Sequence, residues 1–166
     1  MTKQTIKFKR PNGRQPVIVQ ILPALVRGGV ERGTVEMAKA IQTAGGHAVV
    51  ISNGGPLVRH IERCGGKHIA LPVHVKNPLR WPGLRRQLRT IFQTEGADVV
   101  HVRSRVPAWL ALSVAKSMGI ATISTVHSRF TSRSFLKRRY NAKLLDAGQV
   151  IAISDYVHGL ITSQYI

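Results

Sequence analysis

The sequence predicts a single domain built on a doubly wound parallel α/β sheet, with about six strands and helices on both faces. Three observations predict it. Short apolar, β-branched runs alternate with longer segments of helical period. Glycine or proline punctuates nearly every junction between them. Histidines, arginines, serines and glycine pairs gather just after the apolar runs, at the strand edge where such sheets bind ligands. A plain scaffold would scatter them over both edges.

The first run, Val17–Leu22, is interrupted only by Gln20 and reads as a strand buried on both faces. Pro23 stops it, and a loop with Arg27-Gly28-Gly29 at its tip follows. Val30, Met37, Ala38 and Ile41 then fall on one stripe of a helix. Glu31 and Glu36 sit near its start, where carboxylates oppose the positive end of the dipole. A strand, a glycine-pair loop and a helix N-terminus in succession point backbone N–H groups at an anion or sugar above the strand. The plainer alternative is a βα turn that needs glycine only for its backbone. Neither familiar phosphate cradle fits. Gly28-Gly29-Val30 breaks the dinucleotide spacing G-x-G-x-x-G, and Thr34-Val35 after Gly33 lacks the Lys and Ser/Thr of a P-loop.

Gly45-Gly46 ends the first helix as a C-cap. His47–Ile51 is the second strand; Leu57, Val58 and Ile61 mark a short helix closed by Gly65-Gly66; Lys67–Leu71 is the third strand. After the loop Pro72–Pro82, whose last proline suits the first position of a helix, Leu84, Leu88, Ile91 and Phe92 line one helical face. Arg85, Arg86 and Arg89 occupy the other. Asp98–Val102 and Ile120–Val126 are the fourth and fifth strands, on either side of a well-covered helix Pro107–Met118. The basic segment His127–Lys143 carries Leu136, Tyr140 and Leu144 at helical spacing. Val150–Ile153 is the sixth strand, and Ser154 caps a last helix. Residues 1–15 form a disordered basic lead-in, and the domain occupies 16–166.

A chain of 166 residues, 43% hydrophobic, can bury a real core. Its formal charge of +18, from 25 Lys+Arg against 7 Asp+Glu, implies an anionic partner: nucleic acid, an anionic membrane surface or an acidic substrate. One cysteine, Cys64, excludes an internal disulfide framework and suits a reducing compartment. The basic N-terminus before an apolar stretch resembles a signal peptide in outline. Gln20, Pro23 and Arg27 break that stretch, however, and no small-residue cleavage site follows. No apolar run approaches the roughly 20 residues of a membrane span. The expected location is the cytoplasm, with peripheral contact at the inner face of the plasma membrane.

His101 and His127 each end a strand and are followed within two residues by Arg103 and Arg129. A strand-end histidine is commonly structural; two on one edge, each beside an arginine, favour anion or sugar binding. His60, Cys64 and His68 do not make a metal site, because Gly65-Gly66 breaks the helix between them and no second cysteine exists. No nucleophile elbow occurs, and the few acids leave Glu31 and Asp155 nearest the edge, which argues against a two-carboxylate hydrolase. The basic run Arg129, Arg133, Lys137, Arg138, Arg139 and Lys143, interleaved with Phe130, Phe135, Leu136 and Tyr140, fits three readings. It is a nucleic-acid footprint, a surface for anionic lipid, or a solvated helix face.

With these residues collected, the chain resembles the N-terminal domain of the GT-B glycosyltransferases, in particular the retaining family 4 enzymes, from about Val17 to Tyr165. The carriers are GGVERGTVEMAKAI, GGHAVVIS, ADVVHVRSRVPAW, ISTVHSRF and VIAISDYV. HVRSRVPAW and the LP…KNP loop are similar to members that extend lipopolysaccharide core or other envelope glycans. The resemblance implies a nucleotide-sugar donor as co-substrate with no other cofactor, and an anionic glycolipid or envelope glycan as acceptor at a membrane surface. It places Gly28 and Gly29 by the donor diphosphate and His127, the catalytic candidate, on the transferred sugar. His101, Arg103, Arg105 and Arg129 fall on the acceptor side. In that family a C-terminal domain holds the nucleotide through a glutamate pair. The chain stops at Ile166 and no two of its 7 acids have that spacing. The expectation is therefore a truncated, acceptor-side half, inactive until a C-terminal domain is supplied in cis or in trans. The alternative from a different class is a non-catalytic basic α/β module that binds nucleic acid.

Overall fold

The computed structural model describes residues 13–127 and 134–165. Among them, six parallel strands form one sheet in the order β3-β2-β1-β4-β5-β6. The strands are β1 (Val17–Ile21), β2 (His47–Ser52), β3 (Lys67–Ala70), β4 (Val99–Val102), β5 (Ala121–Val126) and β6 (Gln149–Ala152). The connecting helices are α1 (Gly29–Thr43), α2 (Val58–Arg63), α3 (Trp81–Glu95), α4 (Arg105–Ser117) and α5 (Phe135–Ala142), and α6 (Asp155–Tyr165) follows β6. This is a doubly wound, Rossmann-like fold. The chain winds from β1 to one edge, returns to lay β4 against β1, and winds to the other. The reversal between β1 and β4 is the topological switch point, with Gln20 opposite His101 in the register.

Strand alternation sorts the core into two layers. Val19, Ile21, Val49, Ile51, Val100 and Val102 face Leu84, Leu88 and Phe92 of α3 and Leu110 and Val114 of α4. Ala48 and Val50 face the other way, onto Ala38 of α1 and Ile61 of α2. Full burial of a side chain such as Phe92 or Leu88 contributes roughly 1.5–3 kcal/mol over leaving it exposed.

The elements match the sequence-based expectation to within a few residues, with differences that packing explains. Met37 and Ala38 are neighbours about 100° apart on α1, so one can face inward. Ala38 does, with Thr34 a turn earlier, while Met37 is exposed. Tyr140 packs on Trp109 and Leu144 enters the core, but Leu136, one turn before Tyr140, faces solvent. Positions 1–12 of the expected lead-in lie outside the described residues; Arg14 is tied down, donating to the Gly96 carbonyl at 3.1 Å. β6 closes one edge with Val150 and Ile151 exposed.

Candidate functional site

The site begins where β1 ends. Its exit loop is zipped to the loop after β2: Leu25 N–H donates to the Gly54 carbonyl at 2.8 Å, Asn53 N–H to Pro23 at 3.0 Å, and Leu57 N–H to Leu25 at 3.0 Å. Gly55 makes that closeness feasible. Its φ is 139°, and a Cβ there would lie 2.4 Å from the Leu25 carbonyl oxygen. The two joined loops hold the N-terminus of α1 at the carboxyl edge of the sheet.

Gly28 is the N-cap of α1, with no side-chain cap, and Gly28 and Gly29 are both exposed. The space beside Gly29 is open, with no atom within 4 Å of where a Cβ would stand. At Gly28 the corresponding space is taken by Glu31, whose Oε2 would be 2.3 Å from a Cβ. The carboxylate thus lies back over the first turn of its own helix, where the dipole favours a negative charge.

Beneath this turn the α1 face of the sheet is polar. Gln20, fully buried, donates from Nε2 to the Thr34 carbonyl at 3.1 Å. Its Oε1 accepts from Arg103 Nη1 at 2.9 Å. Arg103 is itself 8% exposed, and Gly33 gives it room, since a Cβ at that position would stand 3.4 Å from Nη2. His101, also buried, shares a 2.7 Å hydrogen bond between Nε2 and Thr125 Oγ1, bracing β4 to β5. His127 lies just past β5, half-buried, and its Nε2 is enclosed without a hydrogen-bond partner among the described residues. Arg103 Nε is likewise buried and unpartnered.

The electrostatics join these residues into one group. Burial, then the charge of Arg103 and the proximity of His127, push the His101 pKa down to about 4. Burial and Arg103 also lower that of His127, with Glu31 acting in the opposite direction. Burial lowers the pKa of Arg103 itself. A neutral imidazole, a held guanidinium and a carboxylate thus surround a helix N-terminus. Such an arrangement can hydrogen-bond hydroxyls and meet an anion; it contains no pair of carboxylates for hydrolysis.

Of the residues singled out from the sequence, Gly28, Gly29 and His127 lie at this edge together, with His101 and Arg103 below them engaged by Thr125 and Gln20. Arg105 opens α4 and is half-buried. Arg129 lies outside the described residues, as do Phe130 and Arg133 of the basic run. Three contributors were not legible as such: Gln20, Thr34 and Thr125. The first left a trace, because a glutamine inside an apolar strand requires polar partners wherever it is buried. His68, considered with His60 and Cys64 for metal, instead shares a 2.9 Å hydrogen bond with Ser52. Among the described residues no group of three His, Cys, Asp or Glu side chains converges as metal ligands would. Nor, among them, is any helix long and apolar enough to cross a membrane.

Comparison with known proteins gives the family and the fold of the chain. Residues 27–165 match the family described as Glycosyltransferase Family 4. A glycosyltransferase from Rickettsia africae ESF-5, solved by crystallography, is similar at 33% identity with a TM-score of 0.78, over 91% of this chain and 40% of that one. The apo form of the lipopolysaccharide outer core galactosyltransferase WaaB shares the fold at 13% identity, with a TM-score of 0.65 over 92% of this chain and 43% of its own. A sucrose-phosphate synthase from Thermosynechococcus elongatus does so at 14% identity and a TM-score of 0.65, over 90% of this chain and 45% of that one. The chain therefore spans less than half the length of these proteins. No curated protein matches it.

Proposed function

The chain belongs to glycosyltransferase family 4, and on that premise we propose that it serves in transferring a sugar from a nucleotide-sugar donor to a glycan or glycolipid acceptor. The observation that carries the proposal is the coupled group Glu31, His101, Arg103 and His127 under the open Gly28-Gly29 turn. Breaking a glycosidic bond to a diphosphate builds positive charge on the sugar and negative charge on the leaving group. Groups fixed in advance at those two positions lower the barrier without a protein nucleophile.

In this reading the backbone N–H groups at Gly28 and Gly29 approach the donor diphosphate, at the positive end of the α1 dipole. His127 hydrogen-bonds the transferred sugar. Its lowered pKa keeps the ring neutral at pH 7, so it adds no charge that would oppose the one developing on the sugar. The Glu31 carboxylate nearby has the sign that favours it. Arg103 sets the potential from below, with its guanidinium anchored by Gln20, while His101 holds β4 against β5. Arg105 and Arg129 belong to the acceptor side.

The chain covers 40% of the Rickettsia protein, and the proposal assigns nucleotide recognition to the part of such a protein outside that share. For the acceptor we propose an anionic glycolipid or envelope glycan at a membrane surface, because a formal charge of +18 draws the domain to anionic partners. Family membership favours this over the nucleic-acid reading of the same charge.

The test has two arms. Sugar transfer is assayed with labelled nucleotide sugars and glycolipid acceptors, using the 166-residue chain alone and together with a C-terminal donor domain. Acceptor binding to the chain is mapped in parallel by NMR. The proposal expects transfer with the donor domain, none by the chain alone, and acceptor-induced shifts around His127 and the acceptor-side residues His101, Arg103, Arg105 and Arg129. Robust turnover by the chain alone would contradict the division of labour. Acceptor shifts confined to other surfaces would contradict the site.

A further inference from the structure

A second place in the molecule has the make-up of a ligand site. Between α3 and α4 lies a cavity of about 350 Å³ lined by Arg85, Arg86, Arg89, Ser113, Val114 and Ser117. It sits on the sheet face opposite α1 and α2, since Leu84, Leu88 and Phe92 of α3 pack in the other core layer. Ser117 is the last residue of α4, so the groove runs toward the amino edge of the strands, away from the Gly28-Gly29 turn.

Its chemistry is one-sided. Arg85, Arg86 and Arg89 line it from two successive turns of α3, and Ser113 and Ser117, one turn apart on α4, line its other side. None of the 7 carboxylates in the chain lines it. Glu95, the acid on α3 itself, is paired with Lys67 at 2.7 Å. Arg85 and Arg89 stand at i, i+4, where like charges repel. The fold nevertheless holds them in place. Arg85 donates from Nη2 to the Trp109 carbonyl at 2.9 Å and lies over the Trp81 ring, 5.8 Å from its centre, leaving a buried Nε without a partner. Arg89 donates to Ser117 Oγ at 2.8 Å, and that hydroxyl donates in turn to the Val114 carbonyl at 2.8 Å. Arg86 is exposed at the mouth.

The geometry points to a binding site for a phosphate-bearing group in the α3–α4 groove, with Arg85 and Arg89 held in its wall and Arg86 as its exposed donor. Guanidinium forks match phosphate oxygens two at a time, and the hydroxyl of the exposed Ser113 supplies a further donor. The volume suits a small ligand or a single headgroup. A lipid headgroup and a soluble diphosphate share this chemistry. The site stands apart from the proposed transfer chemistry at the strand edge and does not depend on it.

Two probes distinguish the sources: inorganic pyrophosphate, followed by NMR at the arginine Nε–H resonances, and vesicles of phosphatidylglycerol and phosphatidylcholine, followed by co-sedimentation. Each is titrated against the unaltered chain, against Arg86→Gln and Arg86→Gln/Arg89→Gln, and against Arg59→Gln/Arg63→Gln, an exposed pair on α2 with the same loss of charge. The site predicts saturable binding of at least one probe that weakens about tenfold or more in the double groove variant and much less in the α2 variant. Groove-dependent vesicle binding that pyrophosphate competes away assigns the site to headgroups. Groove-dependent pyrophosphate binding without vesicle binding assigns it to a soluble ligand. Equal loss in the groove and α2 variants, or no saturable binding of either probe, overturns the proposal. Arg86→Gln alone, at an exposed position, keeps the test valid if the double variant loses its fold.

Discussion

Arg103 donates from Nη1 to Oε1 of Gln20 at 2.9 Å, and both side chains are buried, one at the end of β4 and the other within β1. The bond crosses the topological switch point, and Gln20 extends it to the Thr34 carbonyl of α1 at 3.1 Å. The switch point, the helix whose N-terminus is exposed there and the buried guanidinium are therefore one polar unit. Gln20→Leu removes the acceptor and leaves the guanidinium buried without it. Such a loss costs about 1.5–3 kcal/mol, measured by denaturant unfolding. Gln20→Leu combined with Arg103→Met costs less than the sum of the two single changes, because the second removes the stranded charge. Strict additivity would show that the pair is not coupled.

His101 gives the fold a defined response to acid. Its folded ring takes a proton only near pH 4, against 6.5 for the free group. Between those values the unfolded chain binds more protons, so the contribution is complete above pH 6.5 and is lost as pH falls toward 4. The full span corresponds to roughly 3 kcal/mol. The lowered pKa values of His68 and His127 act in the same direction, so the test is a difference. His101→Gln removes the titrating group and flattens the fall in stability over that interval. An unchanged pH profile in the variant would contradict this assignment.

Glu31 and Arg103 pull the His127 ring in opposite directions. In an NMR titration, Glu31→Gln lowers the His127 pKa further, and Arg103→Gln raises it. A His127 titration indifferent to both changes would place the ring outside the group.

The glycines at this edge divide into two kinds. Gly55→Ala forces a methyl against the Leu25 carbonyl at a φ of 139°, and costs about 1–3 kcal/mol of stability. Gly29→Ala meets no atom within 4 Å and leaves stability nearly unchanged. In the transfer reading it still weakens binding of a nucleotide sugar by about tenfold or more, because the methyl stands where the diphosphate approaches. Equal binding by Gly29→Ala and the unaltered protein would remove the glycine pair from the donor site.

The strands and helices were legible because buried parallel strands and amphipathic helices carry their periods locally: Val17–Ile21 and Leu84, Leu88, Phe92 need no partner to be recognised. The edge that gathers His101 and His127 was legible too, from the repeated placement of polar residues after strands. What those side chains touch was not. Gln20 reads along the chain as an interruption, and only the register that sets it opposite His101 brings it under Arg103. Thr125 reads as an ordinary strand residue, and its bond to His101 depends on pairing across β4 and β5. The groove arginines read only as the face of a helix opposite its apolar one, because nothing local shows that α4 lies beside them.

His127→Ala, assayed for sugar transfer in an active enzyme that contains this domain and, in the same preparation, for thermal unfolding, tests whether the sugar is transferred at this edge. The ring is half-buried beside Arg103 and Glu31, with an enclosed Nε2 that has no hydrogen-bond partner among the described residues. If it contacts the transferred sugar, turnover falls by roughly 10²–10⁴-fold while the melting temperature stays nearly constant. If activity survives and the melting temperature drops, His127 is part of the scaffold, and this edge is not where the sugar is transferred.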